Sequence, residues 1–195
     1  MRQFLIIGHD APTTAEFTLD DLPGAGRLDA LCQCVTDAVL LSHDIREDVR
    51  VRVVLNDEYT LRFEGADLRR LNPDERSTAA LFRTALEQRE DAVGHMPVET
   101  SPGVHLSRRD TEAAIADASG TVVQLHEDGE PAGKLTPPEN PVFVLSDHQD
   151  FTERERALLA DATDQRVRLG PNRLHGNQAI TVAHNWLDTD GWTAF

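Results

Sequence analysis

The sequence predicts an α/β domain built on a mostly parallel sheet flanked by helices, and three observations predict it. TVVQL (121–125), PVFVL (141–145) and RVRL (166–169) are short, β-branched-rich runs about twenty residues apart. Continuous apolar runs of this kind belong to strands covered on both faces, as in parallel sheets. Stretches with the apolar spacing of amphipathic helices lie between and around them. Each of the three runs also opens into a polar loop, HEDGEP, SDHQDF or GPNRLHGNQ. Loops leaving one edge of a parallel sheet converge on one crevice, the usual ligand position in such folds.

Taken in order, Arg2–Ile7 reads as a first strand. MRQFLIIGHD carries one basic side chain and too short an apolar run for a secretory signal. The polar stretch His9–Gly26 ends in DDLPGAGRLD, whose Gly24 and Gly26 lack both the preceding strand and the third glycine of a dinucleotide loop. A helix follows over Arg27–Ser42, with Leu28, Leu31, Cys32, Val35, Ala38 and Val39 on one face. Val49–Leu55 and Thr60–Phe63 read as strands joined by the turn Asn56-Asp57-Glu58. In LNPDERSTAALFRTALEQRE, Asn72 is placed to cap, Pro73 to open the helix and Glu75 to complete a capping box, with the helix running to Arg89. Residues 91–103 read as a loop, Val104–Leu106 as a strand and Arg109–Ala118 as a helix. Thr152–Ala162 is a helix capped by Thr152 with Glu155 three residues on. The last helix follows the polar loop Asn172–Asn177, with Ile180, Ala183 and Leu187 on its apolar stripe and Val182 and Trp186 widening it. No repeat, low-complexity tract or linker interrupts the chain, so residues 1–195 form a single domain.

Composition narrows the function. Thirty-four acidic residues against nineteen basic ones give a net charge of −15. Lys134 is the lone lysine; the other basic residues are arginine. The acids are scattered rather than gathered into blocks, which suits a protein that stays hydrated in concentrated salt, where screening removes self-repulsion. Such a charge ordinarily argues against a nucleic-acid partner. Arginine is nonetheless retained in groups: Arg46, Arg50, Arg52; Arg62, Arg69, Arg70, Arg76; Arg108, Arg109; Arg166, Arg168, Arg173. Arginine makes bidentate phosphate contacts and stacks on bases, although any one of these side chains can equally be the partner of a surface carboxylate. No apolar run is long enough to span a membrane, and a cytoplasmic protein is expected.

Cys32 and Cys34 are badly spaced for a disulfide or a closed metal site and read as buried apolar residues. His9-Asp10, His43-Asp44, His126-Glu127-Asp128 and Asp147-His148 invite a metal reading, but none has ligand spacing on one element, and HExxH and CxxC are absent. No metal is expected. A hydrolase using Asp147, His148 and His126 would need three loops to coincide. GxSxG and Walker motifs are missing, so nucleophilic catalysis is not indicated.

Five segments carry a resemblance that spacing alone does not supply: DDLPGAGRLDALCQCVTDAVLLSHDIRED, NPDERSTAALFRTAL, SPGVHLSRRD, NPVFVLSDHQDF and LGPNRLHGNQAITVAHNWLD. Over essentially its whole length the chain resembles the archaeal tRNA pseudouridine-54 N1-methyltransferases, a branch of the SPOUT methyltransferases. The resemblance implies a C-terminal trefoil knot (about residues 120–195), a homodimer, and S-adenosylmethionine as cofactor. By motif position it implies cofactor contacts from Leu125, Ser146, Asp147, Asp150, Leu169, Gly170, Leu174, Gln178 and Ala179. Ser146 and Asp150 stand where family members often carry glycine, and Ala179 where a member carries cysteine; backbone contacts survive such changes.

Methyl transfer from a sulfonium is an in-line displacement, so the protein mainly holds donor and acceptor in register. Asp147 and His148 are the candidates to orient the base or accept the N1 proton. Arg27, Arg76, Arg108 and Arg109 are the candidates to hold phosphates of a tRNA loop with its target base turned outward. The rival readings are methylation of an rRNA pseudouridine, a catalytically silent RNA-binding dimer, and the metal hydrolase.

Overall fold

A computed structural model describes residues 1–69 and 71–195; Arg70, one of the grouped arginines, lies outside the described residues. The chain runs β1 (Arg2–Gly8), α1 (Leu28–Val39), β2 (Val49–Leu55), β3 (Tyr59–Glu64), α2 (Glu75–Glu87), β4 (Val98–Ser101), β5 (Val104–Ser107), α3 (Thr111–Ala116), β6 (Thr121–Pro131), β7 (Pro141–Ser146), α4 (Glu153–Ala162), β8 (Gln165–Arg168) and α5 (Gly176–Asp188). All eight strands join one sheet in the order β4-β5-β3-β2-β1-β7-β6-β8. From β2 through β8 the neighbours are parallel. On the other side of β2, the strands β3, β5 and β4 are added antiparallel. The mostly parallel sheet and its flanking helices therefore agree with the sequence.

Alternation along the strands sorts the core into two layers. Phe4, Ile6, Val51, Val53, Phe143, Leu145 and Val167 face one way, toward the buried residues of α1, α2 and α5. Leu5, Ile7, Val54, Val142 and Val144 face the other way, toward Ala114 and Ile115 of α3 and Leu159 of α4. Aromatic contacts fasten α5 to the first layer: Phe4 stacks on Phe143 at 5.4 Å between centroids, and His184 and Trp186 meet them edge-on. Cys32 and Cys34 are free and buried, as expected; burial raises both thiols, Cys34 to about 12. The turn Asn56-Asp57 adopts positive φ at both residues, as a tight hairpin requires.

Six local expectations are corrected. The cap of α2 is Asp74, whose carboxylate accepts from Ser77 N–H at 2.7 Å, not Asn72, and the helix ends at Glu87. Asp74 is the better cap because its side chain reaches the third amide of the turn. The stretch read as a loop over 91–103 contains edge strand β4, held by pairing with β5 rather than by any pattern of its own. α1 stops at Val39 and α3 spans only Thr111–Ala116, capped by Asp110. HEDGEP is not a simple loop, because β6 continues to Pro131 and pairs with β8 twice. Leu125 and Glu130 both register with Val167, and residues 126–129 bulge out between them. Gly129 permits this: a Cβ there would lie 2.5 Å from the Val167 carbonyl carbon.

Candidate active site

The parallel strands β7, β6 and β8 are adjacent, so the bulge 126–129 and the segments 147–152 and 169–175 gather at their carboxyl end. β1 is parallel to β7 on the other side, which brings His9 and Asp10 to the same edge. There the sheet hands over from ladder to side chains. Asp147 N–H still donates to Ile7 O at 3.0 Å, while its carboxylate turns back to accept from His9 N–H at 2.8 Å.

His9 is the hub of this corner. Its Nδ1 lies 2.9 Å from Asp147 Oδ1, and its Nε2 lies 2.9 Å from Glu155 Oε2. With a carboxylate at each ring nitrogen, the imidazole is held protonated: the Asp147 hydrogen bond outweighs desolvation, Glu155 adds to it, and the pKa rises to about 9. Asp147, whose side chain is 1% exposed, also accepts from Gln149 N–H at 2.8 Å. Burial alone would raise its pKa, but the His9 and Gln149 hydrogen bonds hold it below the usual carboxylate range. Glu155 closes the capping box of α4, accepting from Thr152 N–H at 2.7 Å. One imidazolium thereby ties the end of β1 to the loop after β7 and to the first turn of α4. His148, exposed, places its Nδ1 3.6 Å from Asp147 Oδ2.

The sequence-derived cofactor positions fall around this corner. Ser146 Oγ donates to Gln149 O, and Asp150 forms an ion pair with Arg173, linking the loops after β7 and β8. Gln178 accepts from His175 N–H at 3.1 Å at the start of α5, with Ala179 beside it. Leu125 and Leu169 are partly buried against the main core, and Leu174 is exposed. Among the described residues, the N–H groups of Gly170, Asn172, Arg173 and Leu174 have no hydrogen-bond partner in the chain. A row of free main-chain donors at the carboxyl end of parallel strands suits an adenosyl cofactor held chiefly by backbone, so the residues present fit such a group.

Of the arginines singled out, Arg27 adopts a left-handed φ of 57° at the start of α1 and pairs with Asp29. Arg108 and Arg109 follow β5. The first lies over the Tyr59 ring at 5.6 Å, and the second pairs with Asp117 at 2.5 Å. Since β5 runs in the same direction as β1, these two arginines leave the sheet at the edge where the loops gather, and Arg27 follows Gly26, which lies against Asp10 at the end of β1. Arg76 stands apart on the first turn of α2, paired with Asp20.

His9 was visible in the sequence only as half of a His-Asp pair. Its role depends on β1 lying beside β7, more than 130 residues away, as the His9–Asp147 separation of 138 records. Among the described residues, no group of three or more His, Cys, Asp or Glu side chains is arranged to hold a metal ion. Nor is any helix long and apolar enough to cross a membrane. A surface recess between α1 and α5, lined by Thr36, Leu40, Arg46, Thr181, His184 and Asp188, lies away from the loops.

Known proteins bear on this geometry. The family profile described as "Putative SAM-dependent RNA methyltransferase" matches residues 1–192. The tRNA (pseudouridine(54)-N(1))-methyltransferase of Haloarcula marismortui is 67% identical, with both chains fully covered. The protein of the same name from Haloferax volcanii is 64% identical, again over the whole of both chains. That of Methanosarcina acetivorans is 43% identical over 96% of this chain and 91% of its own. Among solved structures, Archaeoglobus fulgidus Nep1 bound to S-adenosylhomocysteine superposes with a TM-score of 0.62, covering 95% of each chain at 13% identity, so the likeness is one of fold.

Proposed function

Because the chain belongs to the family of S-adenosylmethionine-dependent RNA methyltransferases, we propose that it methylates N1 of pseudouridine at position 54 in the T-loop of tRNA. The observation that carries this reading is full-length similarity, at 67% identity, to a relative named for that reaction. The corner around Asp147 supports it, with its free main-chain donors and ordered carboxylate at the edge where three arginines emerge.

S-adenosylmethionine supplies an electrophilic methyl group when bound. The chain's own work is to hold the cofactor through residues 125–129, 146–150 and 169–179 and to present the acceptor ring in line. N1 must lose its proton as the new bond forms. Asp147 is poorly suited to take it, because its oxygens are occupied and its basicity is lowered. Asp147 is therefore the positioning residue, and His148, beside it and partly open to solvent, is the group placed to accept or relay the proton. Donors around the ring oxygens stabilise the anion that forms.

In this reading the last segment of the chain is tucked through the loop between β6 and β7 as a trefoil knot. What supports it is contact at both ends of α5. Its first residue lies against Cys34 and Leu145, while Trp192 lies against Gly133 and Gly191 against Pro137. The protein works as a homodimer in the cytoplasm, and the recess between α1 and α5 is the surface offered to the second copy.

The test is methyl transfer from labelled S-adenosylmethionine to two tRNA transcripts, one with pseudouridine and one with uridine at position 54. Label on the first alone is expected. Absence of label there, with transfer to an rRNA hairpin carrying pseudouridine, would reassign the substrate.

A further inference from the structure

The antiparallel half of the sheet carries an arrangement that strand pairing alone does not explain. Arg52 of β2 stands directly opposite Arg62 of β3, and Arg62 stands opposite His105 of β5. Like charges set opposite one another across strands are destabilising, so this basic row costs stability. Arg50 lies two residues along the same face of β2, and Arg109 reaches in from the end of β5.

The carboxylates available to these groups are too few. Glu64 is shared between Arg50 at 2.8 Å and Arg62 at 3.0 Å. Asp117 is shared between Arg109 at 2.5 Å and Arg52 at 3.8 Å. Glu99, beside His105 on the edge strand, is engaged by Gly103 N–H. Four guanidiniums and His105 thus face three carboxylates, Glu64, Asp117 and Glu99, with Asp67 further off, in a chain whose net charge is −15. Burial, followed by repulsion from Arg50, Arg62 and Arg109, pushes the Arg52 pKa down to about 10 despite Asp117. Among the described residues, two nitrogens of the row, Arg62 Nε and His105 Nδ1, are shielded from solvent with no hydrogen-bond partner. The Arg62–Glu64 approach is close without being aimed as a hydrogen bond.

Arg52 is buried under α3, where its guanidinium donates to Ala114 O, while Arg50, Arg62, His105 and Arg109 remain partly exposed. α3 packs over β1 and β2, and α2, which reaches β4 and β5, packs on the opposite side with Phe82 against Phe63. Through Arg109 the face reaches the carboxyl edge of the sheet, the edge from which the loops after β6, β7 and β8 also leave.

We infer that the open face of β2, β3 and β5, centred on Arg50, Arg62, His105 and Arg109, is a docking surface for the phosphate backbone of the substrate RNA beyond its target loop. The inference rests on the RNA-methyltransferase reading of the site. Charge complementarity selects the occupant. A second copy of so acidic a chain would have to bring an acidic patch to the same place, whereas an RNA backbone presents phosphates along its length, and arginine forks grip them bidentately.

The experiment is tRNA binding measured across a series of KCl concentrations, using pseudouridine-54 and uridine-54 transcripts. Arg50→Gln and Arg62→Gln are compared with the intact protein and with Lys134→Gln, an equal charge change at an exposed pair with Glu130 after β6. Each variant on the face should raise the tRNA Kd several-fold and flatten the salt dependence by about one phosphate contact. Both transcripts should be affected equally, and affinity for S-adenosylmethionine should not move. Arg62→Lys, which keeps the charge but not the fork, should fall between, and it replaces Arg62→Gln if that variant melts early. Unchanged affinity and slope, an equal loss in Lys134→Gln, or a shift in oligomeric state without loss of RNA affinity would each overturn the inference. The two readings fail separately: a protein that binds tRNA through this face yet leaves pseudouridine 54 unmethylated loses only the substrate assignment.

Discussion

Replacing His9 by Gln removes a charge that two carboxylates were arranged to hold. The His9 side chain is 12% exposed, and its partners Asp147 and Glu155 are 1% and 9% exposed. A rise in pKa from 6.5 to about 9 corresponds to roughly 3 kcal/mol of preference for the protonated folded state. Allowance for partial solvent screening brings this to about 2 kcal/mol. Because the folded pKa is raised, this stabilisation is complete below pH 6.5 and fades as pH climbs through 9. Asp147, shifted downward, contributes in the opposite sense: its share is present at neutral pH and is lost on acidification. The assay is thermal unfolding in concentrated KCl at steps from pH 6 to pH 10. The intact protein should lose about 4–8 °C in Tm across that window through this pair alone. His9→Gln should start lower and show a flatter curve, and affinity for S-adenosylmethionine should fall with it because the loop after β7 loosens. Parallel curves for the two proteins would refute the assignment of His9 as a charged tie.

Other substitutions separate positioning from chemistry. Asp147→Asn should destabilise by about 2–3 kcal/mol in urea unfolding, since it leaves the His9 imidazolium half-paired. His148→Ala should leave stability within about 0.5 kcal/mol but lower kcat for methyl transfer by about a hundredfold. Gly129→Ala should reduce both folding yield and cofactor affinity, because its Cβ would meet the Val167 backbone at 2.5 Å; calorimetry with S-adenosylmethionine reads the second effect. Arg173→Ala removes an exposed ion pair with Asp150 and should change Tm very little.

Much of the site lay in the sequence as segments without a shared place. Loops were visible at 146–150 and 169–175, and Thr152 with Glu155 declared the start of α4. Glu155, however, reads locally as a cap, and nothing within the helix announces that the same carboxylate also closes on His9. β4 escaped notice because VETS has little apolar signal and exists as a strand only beside β5. The continuation of β6 past Leu125 was hidden for a related reason. HEDGEP has loop chemistry, and its second pairing with β8 depends on a glycine that lets two backbones touch.

The sequence by itself determined the parallel-sheet class, the faces of α1 and α5, the acidic, lysine-poor surface and, through resemblance, the methyltransferase family. These follow from periodicity, composition and motif, which are written locally along the chain. Only the tertiary structure decided that His9 answers Asp147 and Glu155, and that Arg52, Arg62 and His105 stand in one row. Both facts follow from strand order and register, set by long-range packing of a sheet whose neighbours in space are far apart in sequence.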